Sequence, residues 1–254
     1  MNIIIKDENQ IKILREGGKR LAQVLRIVAD NVRPGITTGK LDQIAFDEIK
    51  KLGDEPAFLG YKPEGAQTPF PATLCVSVNN QIVHGLPGKT VLKEGDIVTV
   101  DLGIKHGGLF TDHAVTVAVG DVTKELKNLM HTAENALYAG IEMARAGNTI
   151  GDISFAIEGV IRPHGYGIVR ELSGHGVGVH IHEDPYVPNY GKPGTGEKLR
   201  PGMVIAIEPM INLGSAKIKM NKDGWTIETL DNKPSAHFEH TILITEGEPE
   251  ILTK

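Results

Sequence analysis

Residues 93–101 read Lys-Glu-Gly-Asp-Ile-Val-Thr-Val-Asp, and residues 200–208 repeat their pattern as Arg-Pro-Gly-Met-Val-Ile-Ala-Ile-Glu. Each stretch passes from a basic residue through a glycine turn into an apolar run that ends on a carboxylate. A turn followed by β-branched and apolar residues is typical of a buried strand. Two such segments in one chain predict a duplicated fold, in which each half carries an acid late in a strand-like run.

Two further pairs of segments show a similar internal repeat. Residues 33–41 parallel residues 145–153, and Val83-His84-Gly85 parallels Gly174-His175-Gly176. Coincidence is the alternative, because turn-then-strand segments are common. The duplication would pair acids from the two halves, so that each half brings one histidine and two acids to a central site. The pairs are Asp101 with Glu208 and Asp112 with Glu239.

The hydrophobic spacing predicts helices separated by two groups of strands. The helices are expected over Asp7 to Val32, Thr38 to Gly53, Thr123 to about Ala146, and Gly151 to Ile161. Asp7 with Gln10 forms a capping box, and Thr38 is expected to cap the second helix. Strands are expected from Leu74 to Val119 and from Val169 to Leu252. This order predicts an α/β (α+β) fold, with one domain over residues 1–254 and halves of about 1–120 and 121–254.

Composition limits the class of protein. The 254 residues are 40% hydrophobic and 23% charged with a net charge of −5, which predicts a substantial core and gives no basic surface for nucleic acid or anionic membrane. A single cysteine, Cys75, excludes an intrachain disulfide and a cysteine-rich zinc site. Residues 1–6 are too short for a signal peptide, and no apolar run reaches the roughly 20 residues that span a bilayer. We therefore expect a cytoplasmic protein.

His175 lies in the most informative stretch, residues 171–185, which read Glu-Leu-Ser-Gly-His-Gly-Val-Gly-Val-His-Ile-His-Glu-Asp-Pro. Flanking glycines would let a ligand or metal approach closely. One imidazole with four carboxylates suits Mn, Fe, Co or Zn, and bridging carboxylates would let two metals share the site. Each acid alone has a structural alternative, such as a distant salt bridge for Asp101 or a turn for Asp112.

Several other histidines show weaker sequence signals for a functional role. His113 would point away from Asp112 in a strand, either into the core or to a position that supports the site residues from behind. His180 would lie either near a substrate groove or in solvent. Surface positions or local hydrogen bonds are expected for the others, namely His106, His131, His164, His237 and His240.

At their mutual spacing these motifs resemble the type I methionine aminopeptidases, cytosolic enzymes that remove initiator methionine from new proteins. The similarity runs from the first helix to Thr241. The matching blocks are residues 77–80 with 83–85, 100–103, 173–178, 207–209 and 238–241. The resemblance implies the pita-bread fold, in which pseudo-two-fold related halves around a central antiparallel sheet enclose a dinuclear metal centre.

The resemblance also implies residue roles. Asp101 would hold one of two divalent cations (Co, Mn, Fe or Zn), His175 and Glu208 the other, and Asp112 with Glu239 would bridge both. His84 and His182 would be non-ligand histidines at the rim. An activated water would attack the carbonyl of the first residue, His182 would stabilise the oxyanion, Glu208 would shuttle the proton and His84 would contact the amide. Capture of the free α-amine by the metal beside Asp101 would restrict cleavage to chain ends.

A methionine pocket follows less directly from the same comparison. Its expected lining residues are Phe58, Tyr61, Phe70, Cys75, Ile181 and Trp225. A thioether fits a polarisable apolar slot with aromatic edges, although ordinary core packing is the alternative for each residue. Phe58 and Ile181 depart from the commoner pattern of the family. Residues 62–67 resemble an insertion, which we expect to be a passive surface loop; the alternative is that it forms part of the pocket rim.

Two competing functions stay open at this point. An X-Pro aminopeptidase or prolidase would share the fold, but such enzymes usually carry an additional N-terminal domain. A non-catalytic binding module on this fold would lose metal ligands and gain basic surface. The expected partners are N-terminal methionyl peptides and nascent chains, with a transient ribosome contact, and we expect a monomer without membrane or nucleic-acid contact.

Overall fold

A computed structural model describes residues 3–63 and 65–254. Met1 and Asn2, part of the stretch predicted to be too short for a signal peptide, and Glu64 of the predicted insertion lie outside the described residues. The helices are α1 (Glu8–Asp30), α2 (Thr38–Lys51), α3 (Lys124–Met143) and α4 (Ile150–Ile161). A short 3₁₀ turn, Arg162–His164, follows α4. None of the described helices has the length and apolar character needed to cross a bilayer.

Fifteen strands are present among the described residues. They are β1 (Glu55–Pro56), β2 (Cys75–Val78), β3 (Gln81–Val83), β4 (Ile97–His106), β5 (Leu109–Ala118), β6 (Gly167–Ile168), β7 (Gly174–Gly176), β8 (Glu183–Val187), β9 (Val204–Ile207), β10 (Met210–Asn212), β11 (Ile218–Met220), β12 (Ile227–Thr229), β13 (Ser235–His237), β14 (Glu239–Leu243) and β15 (Glu250–Ile251).

The predicted helix ends are largely confirmed. Asp7 caps α1 through the expected box, because its Oδ1 accepts from Gln10 N at 2.9 Å and Gln10 Oε1 accepts from Asp7 N at 3.0 Å. The predicted cap of α2 is wrong by one residue. Thr37 is extended and its hydroxyl accepts from Lys40 N, whereas Thr38 is already helical and hydrogen-bonds to the backbone of Gly88.

The central sheet has the order β1-β4-β5-β14-β9-β7-β8, with β2 added on β4 and β15 on β14, and its paired strands are antiparallel. Two smaller sheets, β13-β10-β6 and β11-β12-β3, flank it. Helices α1 and α2 form a core with β4 and β5, while α3 and α4 form another with β9 and β14. This arrangement confirms the expected mixed α/β fold with a central antiparallel sheet.

The register of four adjacent strands gathers the predicted acids on one face. Asp101 and Glu239 both lie opposite Ala114 of β5, and Asp112 lies two residues from Ala114 and so projects to the same side. His240 pairs with Ile207, which places Glu208 beside Glu239. The inner strands β5 and β14 and the outer strand β4 therefore carry one acid each, and Glu208 directly follows the outer strand β9.

Candidate metal centre and active site

The four carboxylates are buried together without a basic partner. Asp101, Asp112, Glu208 and Glu239 are each at most 9% exposed, and no ion pair joins them to a lysine or arginine within the described ranges. Reciprocal hydrogen bonds between the backbone of Asp112 and the Thr241 hydroxyl, at 2.9 and 2.7 Å, hold β5 against β14. The acids therefore occupy fixed positions in a low-dielectric environment.

Burial is the main reason that these carboxyl groups are hard to ionise in the absence of cations. It raises the pKa of Asp112 and of Glu208 to about 8, and the charge of Glu208 adds to the effect on Asp112. Burial and the neighbouring acids also raise the pKa values of Asp101 and Glu239 well above their usual range. Like charges so close together disfavour ionisation unless positive charge compensates them.

His175 adds a neutral nitrogen to this cluster. Its Nδ1 lies 2.9 Å from the carbonyl oxygen of Gly176, so Nδ1 must carry the proton and Nε2 presents a lone pair. That lone pair faces Glu208 Oε1 at 3.5 Å and Asp112 Oδ2 at 4.0 Å. Burial, followed by the neighbouring His182, lowers the pKa of His175 to about 3, which keeps the ring neutral.

The glycines around His175 are also required by packing. A Cβ on Gly174 would lie 2.3 Å from the carbonyl oxygen of Ala206, and one on Gly176 would lie 2.3 Å from that of Asp184. The neighbouring backbone therefore requires glycine at both positions.

The spacing and the chemical type of the ligand atoms in this cluster suit divalent cations. Ligand atoms of Asp112, His175 and Glu239 lie within 4.8 Å of one another. Asp101 Oδ1 and Glu239 Oε1 are buried without a hydrogen-bond partner among the described residues. Acceptor atoms that face only other acceptors are costly unless a cation lies between them. Carboxylate and imidazole donors are those that Mn, Fe, Co and Zn accept.

His237 belongs to this site, and the prediction of a surface or local role for it is wrong. The residue is 1% exposed, and its Nε2 lies 3.4 Å from Glu208 Oε2 and 3.9 Å from Glu239 Oε2. Burial lowers its pKa to about 3. The available signal was its spacing of two from Glu239, which puts both side chains on one face of an extended segment.

His84 lies at the cavity in a strained conformation. Its φ is +58°, a left-handed geometry that is uncommon for a residue other than glycine. The next residue must be glycine, because a Cβ on Gly85 would lie 2.2 Å from the carbonyl oxygen of Val76. Burial lowers the pKa of His84 to about 4, so the ring is neutral and able to donate or accept a hydrogen bond.

His182 stands at the mouth of the same cavity. Its ring meets the ring of His175 edge-on, with centroids 4.4 Å apart, and its Nδ1 lies 2.8 Å from the hydroxyl of Tyr61. His182 is an exposed residue, in agreement with the expected rim position. The partnership with Tyr61 was not predicted, since 121 residues separate the two.

A cavity of about 380 Å³ extends from the carboxylates to an aromatic wall. The predicted pocket residues that line it are Phe58, Tyr61, Phe70, Cys75 and Trp225. Phe70 makes edge-to-face contacts with Phe58 and Trp225, at centroid distances of 6.4 and 5.1 Å. Ile181 is buried in the same apolar cluster but is not part of the cavity surface. Cys75 lies directly opposite Asp101 in the pairing of β2 with β4.

The predicted insertion is a loop anchored beside this wall. Tyr61 and Phe70 close its base, since Phe70 N donates to Tyr61 O at 2.8 Å. Pro63 reaches the cavity surface, so the described part of the loop contributes to the rim. It is therefore not a purely passive surface loop.

The other histidines lie outside the cavity. His113 points to the opposite face, as expected, where its Nδ1 donates to the carbonyl oxygen of Glu239 at 2.5 Å and its ring stacks on His240. His180 is exposed and does not line the cavity. His106 hydrogen-bonds locally to Asp54.

Comparison of the sequence with known proteins finds relatives that match nearly all of this chain. The model of Metallopeptidase family M24 matches residues 12–246. A methionine aminopeptidase of Clostridium perfringens is 47% identical over 251 residues, covering 99% of this chain and 98% of that protein. Methionine aminopeptidase 1 of Bacillus subtilis is 45% identical over 252 residues, covering 99% of each.

Solved structures agree. A methionine aminopeptidase from Thermotoga maritima superposes with a TM-score of 0.96 at 44% identity, covering 100% of both chains. A prolidase from Pyrococcus horikoshii has a TM-score of 0.76 at 24% identity, which shows the fold alone, and this chain covers 63% of it. The expected resemblance and the pita-bread fold are confirmed. The chain belongs to metallopeptidase family M24 and, within it, to the methionine aminopeptidases.

Proposed function

We propose that this protein hydrolyses the peptide bond after an N-terminal methionine when the second residue is small. The observation that carries the proposal is the cluster of acceptors: three carboxylates surround Nε2 of His175, and no lysine or arginine among the described residues pairs with them. The aromatic cavity beside this cluster supports methionine as the first residue, because thioethers make favourable contacts with aromatic rings.

Five residues would hold two divalent cations, namely Asp101, Asp112, His175, Glu208 and Glu239. Asp112 and Glu239, on the two inner strands, are the residues proposed to bridge. When bound, the cations supply the Lewis acidity that lets a water act as nucleophile near neutral pH. Mn, Fe, Co and Zn all suit this donor set.

The chain's own residues would then guide the protons and the substrate. Glu208 would accept a proton from the attacking water and return it to the leaving amine. His182 would donate from Nε2 to the carbonyl oxygen as negative charge develops there. His84 would hydrogen-bond the amide being cleaved. Phe58, Tyr61, Phe70, Cys75 and Trp225 would contact the methionine side chain, with Ile181 packed behind them.

The proposed function also suggests a cellular setting. N-terminal methionyl peptides and nascent chains would be the substrates, met during a transient contact with the ribosome in the cytoplasm. We also propose that the halves, about 1–120 and 121–254, form one catalytic domain in a monomer. Size-exclusion chromatography with light scattering tests the oligomeric state.

Peptide hydrolysis after chelation tests the activity. We expect the chelated protein to be inert, and Met-Ala-Ser cleavage to return on addition of Mn, Fe or Co. Glu239→Gln should abolish turnover while circular dichroism shows an intact fold. Cleavage of a peptide with proline second and a first residue other than methionine, without cleavage of Met-Ala-Ser, would favour the X-Pro alternative and contradict the proposal.

A further inference from the structure

Lys6 and Glu183 form an ion pair inside the protein, and Glu183 directly follows His182 in the chain. Nζ of Lys6 lies 2.5 Å from Oε2 of Glu183, and the two side chains are 1% and 2% exposed. Separating such a pair would leave a buried charge uncompensated, so the two groups hold each other in place. The second oxygen of the carboxylate is therefore also fixed in position.

That second oxygen binds the turn that precedes Glu183. Oε1 accepts from the backbone N–H of Val179 at 2.5 Å and from that of His180 at 2.8 Å. Hydrogen bonds to a charged acceptor are shorter and stronger than those between neutral groups. Both amides lie within three residues of His182, so the carboxylate restrains the backbone that carries this ring.

The start of the turn is restrained as well. The N–H of Phe110 in β5 donates to the carbonyl oxygen of Gly178 at 2.7 Å, and the N–H of Gly178 donates to that of His180 at 3.0 Å. Gly178 has a φ of +140°, and a Cβ there would lie 2.5 Å from Cε of Lys6. The stem of Lys6 therefore packs against the same turn whose amides Glu183 binds.

Lys6 anchors this turn to a separate part of the chain. Its Nζ also donates to the carbonyl oxygen of Ile4 at 3.2 Å. Its backbone N–H donates at 2.8 Å to the carbonyl oxygen of Gly202, in the turn before β9. The segment that leads into α1 thus holds the ammonium group at a defined place, facing Glu183.

His182 is the side chain whose position depends on this arrangement. Its Nδ1 lies 2.8 Å from the hydroxyl of Tyr61, and its ring centroid lies 4.4 Å from that of His175. The residue is exposed at the cavity mouth, so burial alone does not fix it. A displacement of about 1 Å can lower a rate about a hundredfold when a group must meet a transition state.

We propose that Lys6 and Glu183 are positioning residues, which together fix the turn at residues 178–182 and hold the ring of His182 beside that of His175. This inference rests on the proposed function and deepens it, since it concerns the ring assigned to the oxyanion. Neither Lys6 nor Glu183 belongs to the described lining of the cavity, so neither would touch substrate. Their effect would reach the reaction only through His182.

Lys6→Met removes the cation at similar length, and Leu129→Ala is its matched control. Leu129 is fully buried in the core that α3 and α4 form, so its truncation destabilises the protein without touching the turn. Both variants are assayed on Met-Ala-Ser under conditions in which urea titration shows them folded. We expect kcat to fall by about ten- to a hundredfold in Lys6→Met and to match the parent in Leu129→Ala. KM should change by less than about twofold in both.

Two further readouts identify His182 as the group through which the pair acts. In a His182→Ala background, Lys6→Met should have almost no further effect on kcat, because the ring that it positions is gone. In chelated protein, the nuclear Overhauser contact between the rings of His175 and His182 should be present in the parent and Leu129→Ala but lost in Lys6→Met. The NMR readout holds even if Met-Ala-Ser is not cleaved, so failure of the activity and failure of this inference are distinguishable.

A parent-like kcat, or an unchanged ring contact, in folded Lys6→Met protein would overturn the proposal. So would an equal fall in kcat with and without His182, or an equal fall in Leu129→Ala, since each would make the effect one of general stability. If Lys6→Met fails to fold, Glu183→Gln provides the same test, because it removes the charge and keeps an oxygen for the turn. Its kcat should fall by about three- to tenfold, and a parent-like value would overturn the proposal.

Discussion

The hydroxyl of Tyr61 lies 2.8 Å from Nδ1 of His182 across the mouth of the cavity. A neutral imidazole has one donor and one acceptor nitrogen, so a hydroxyl that donates to Nδ1 leaves the proton on Nε2. Burial raises the pKa of Tyr61, which keeps the hydroxyl protonated. When Tyr61 is the donor in this pair, it holds His182 in the form that is able to donate to a substrate carbonyl, as the proposed role of His182 requires.

Tyr61→Phe should lower kcat by about three- to tenfold, the effect of one hydrogen bond. Steady-state hydrolysis of Met-Ala-Ser measures it. In a His182→Ala background the same change should have almost no further effect, because the two residues act together. Tyr186→Phe is the control, since Tyr186 lines the same cavity without a hydroxyl partner among the described residues. Additive losses in the double variant would contradict the coupling.

The metal-free protein should lose stability as the pH rises from 7 to 8. Asp112 and Glu208 have native pKa values of about 8, whereas unfolded carboxyl groups titrate near 4. In this window the native state binds more protons than the unfolded state, so the free energy of unfolding falls with pH, by about 1–2 kcal/mol in total. Urea denaturation of chelated protein at both pH values measures the change.

Two further samples serve as controls for this pH dependence. Glu208→Gln should reduce the slope, because it removes one of the titrating groups. The Mn²⁺-loaded protein should lack the decline, since bound cations keep the carboxylates ionised. A free energy of unfolding that rises from pH 7 to 8 in the chelated parent would show that the carboxyl groups are not buried together.

The ion pair between Lys6 and Glu183 should contribute strongly to stability. Both side chains are almost completely buried, and Nζ lies 2.5 Å from Oε2. Oε1 of Glu183 accepts from the backbone of Val179 and of His180, in the turn that leads to His182. Lys6→Met should lower the free energy of unfolding by about 3–5 kcal/mol, because it leaves a buried charge unpaired.

An exposed pair provides the matched comparison. Arg15→Met removes the bidentate contact of Arg15 with Glu250 and should cost less than about 1 kcal/mol. Urea denaturation of both variants in one buffer gives the difference. Similar losses for the two substitutions would contradict the importance of burial at Lys6.

The thiol of Cys75 should be unreactive in the folded protein. Burial raises its pKa well above the usual range, and the carboxylates of Asp101, Asp112 and Glu239 add to the effect. Because the thiolate is the reactive form, labelling by a disulfide reagent at pH 7 should be slow in buffer and fast in urea. Cys75→Ala should retain turnover, whereas complete loss with metals still bound would indicate a chemical role.

The acids of the site were predictable from the sequence because a carboxylate that ends or interrupts an apolar run is unusual wherever it occurs. Glu208 directly follows β9, whereas Asp101 lies in the middle of β4. Asp101 and Glu208 carry that signal locally, as Asp7 carries the signal of a helix cap. Once the strands pair in their observed register, the acids lie together on one face of the sheet. These parts of the fold and site depend on near neighbours in the chain.

The contacts that the sequence did not reveal are long-range. Lys6 meets Glu183 across 177 residues, and Tyr61 meets His182 across 121. Such pairings arise from how the sheets pack, and no local pattern specifies them. His237 had one local signal, its spacing of two from Glu239, but its three-residue strand is too short for a periodic pattern to separate a buried site from the surface.

Anomalous diffraction from crystals grown with Mn²⁺ tests the central claim most directly. We predict two peaks enclosed by Asp101, Asp112, His175, Glu208 and Glu239, with Asp112 and Glu239 in contact with both. Absence of density among these five side chains, or manganese bound elsewhere on the chain, would contradict the account.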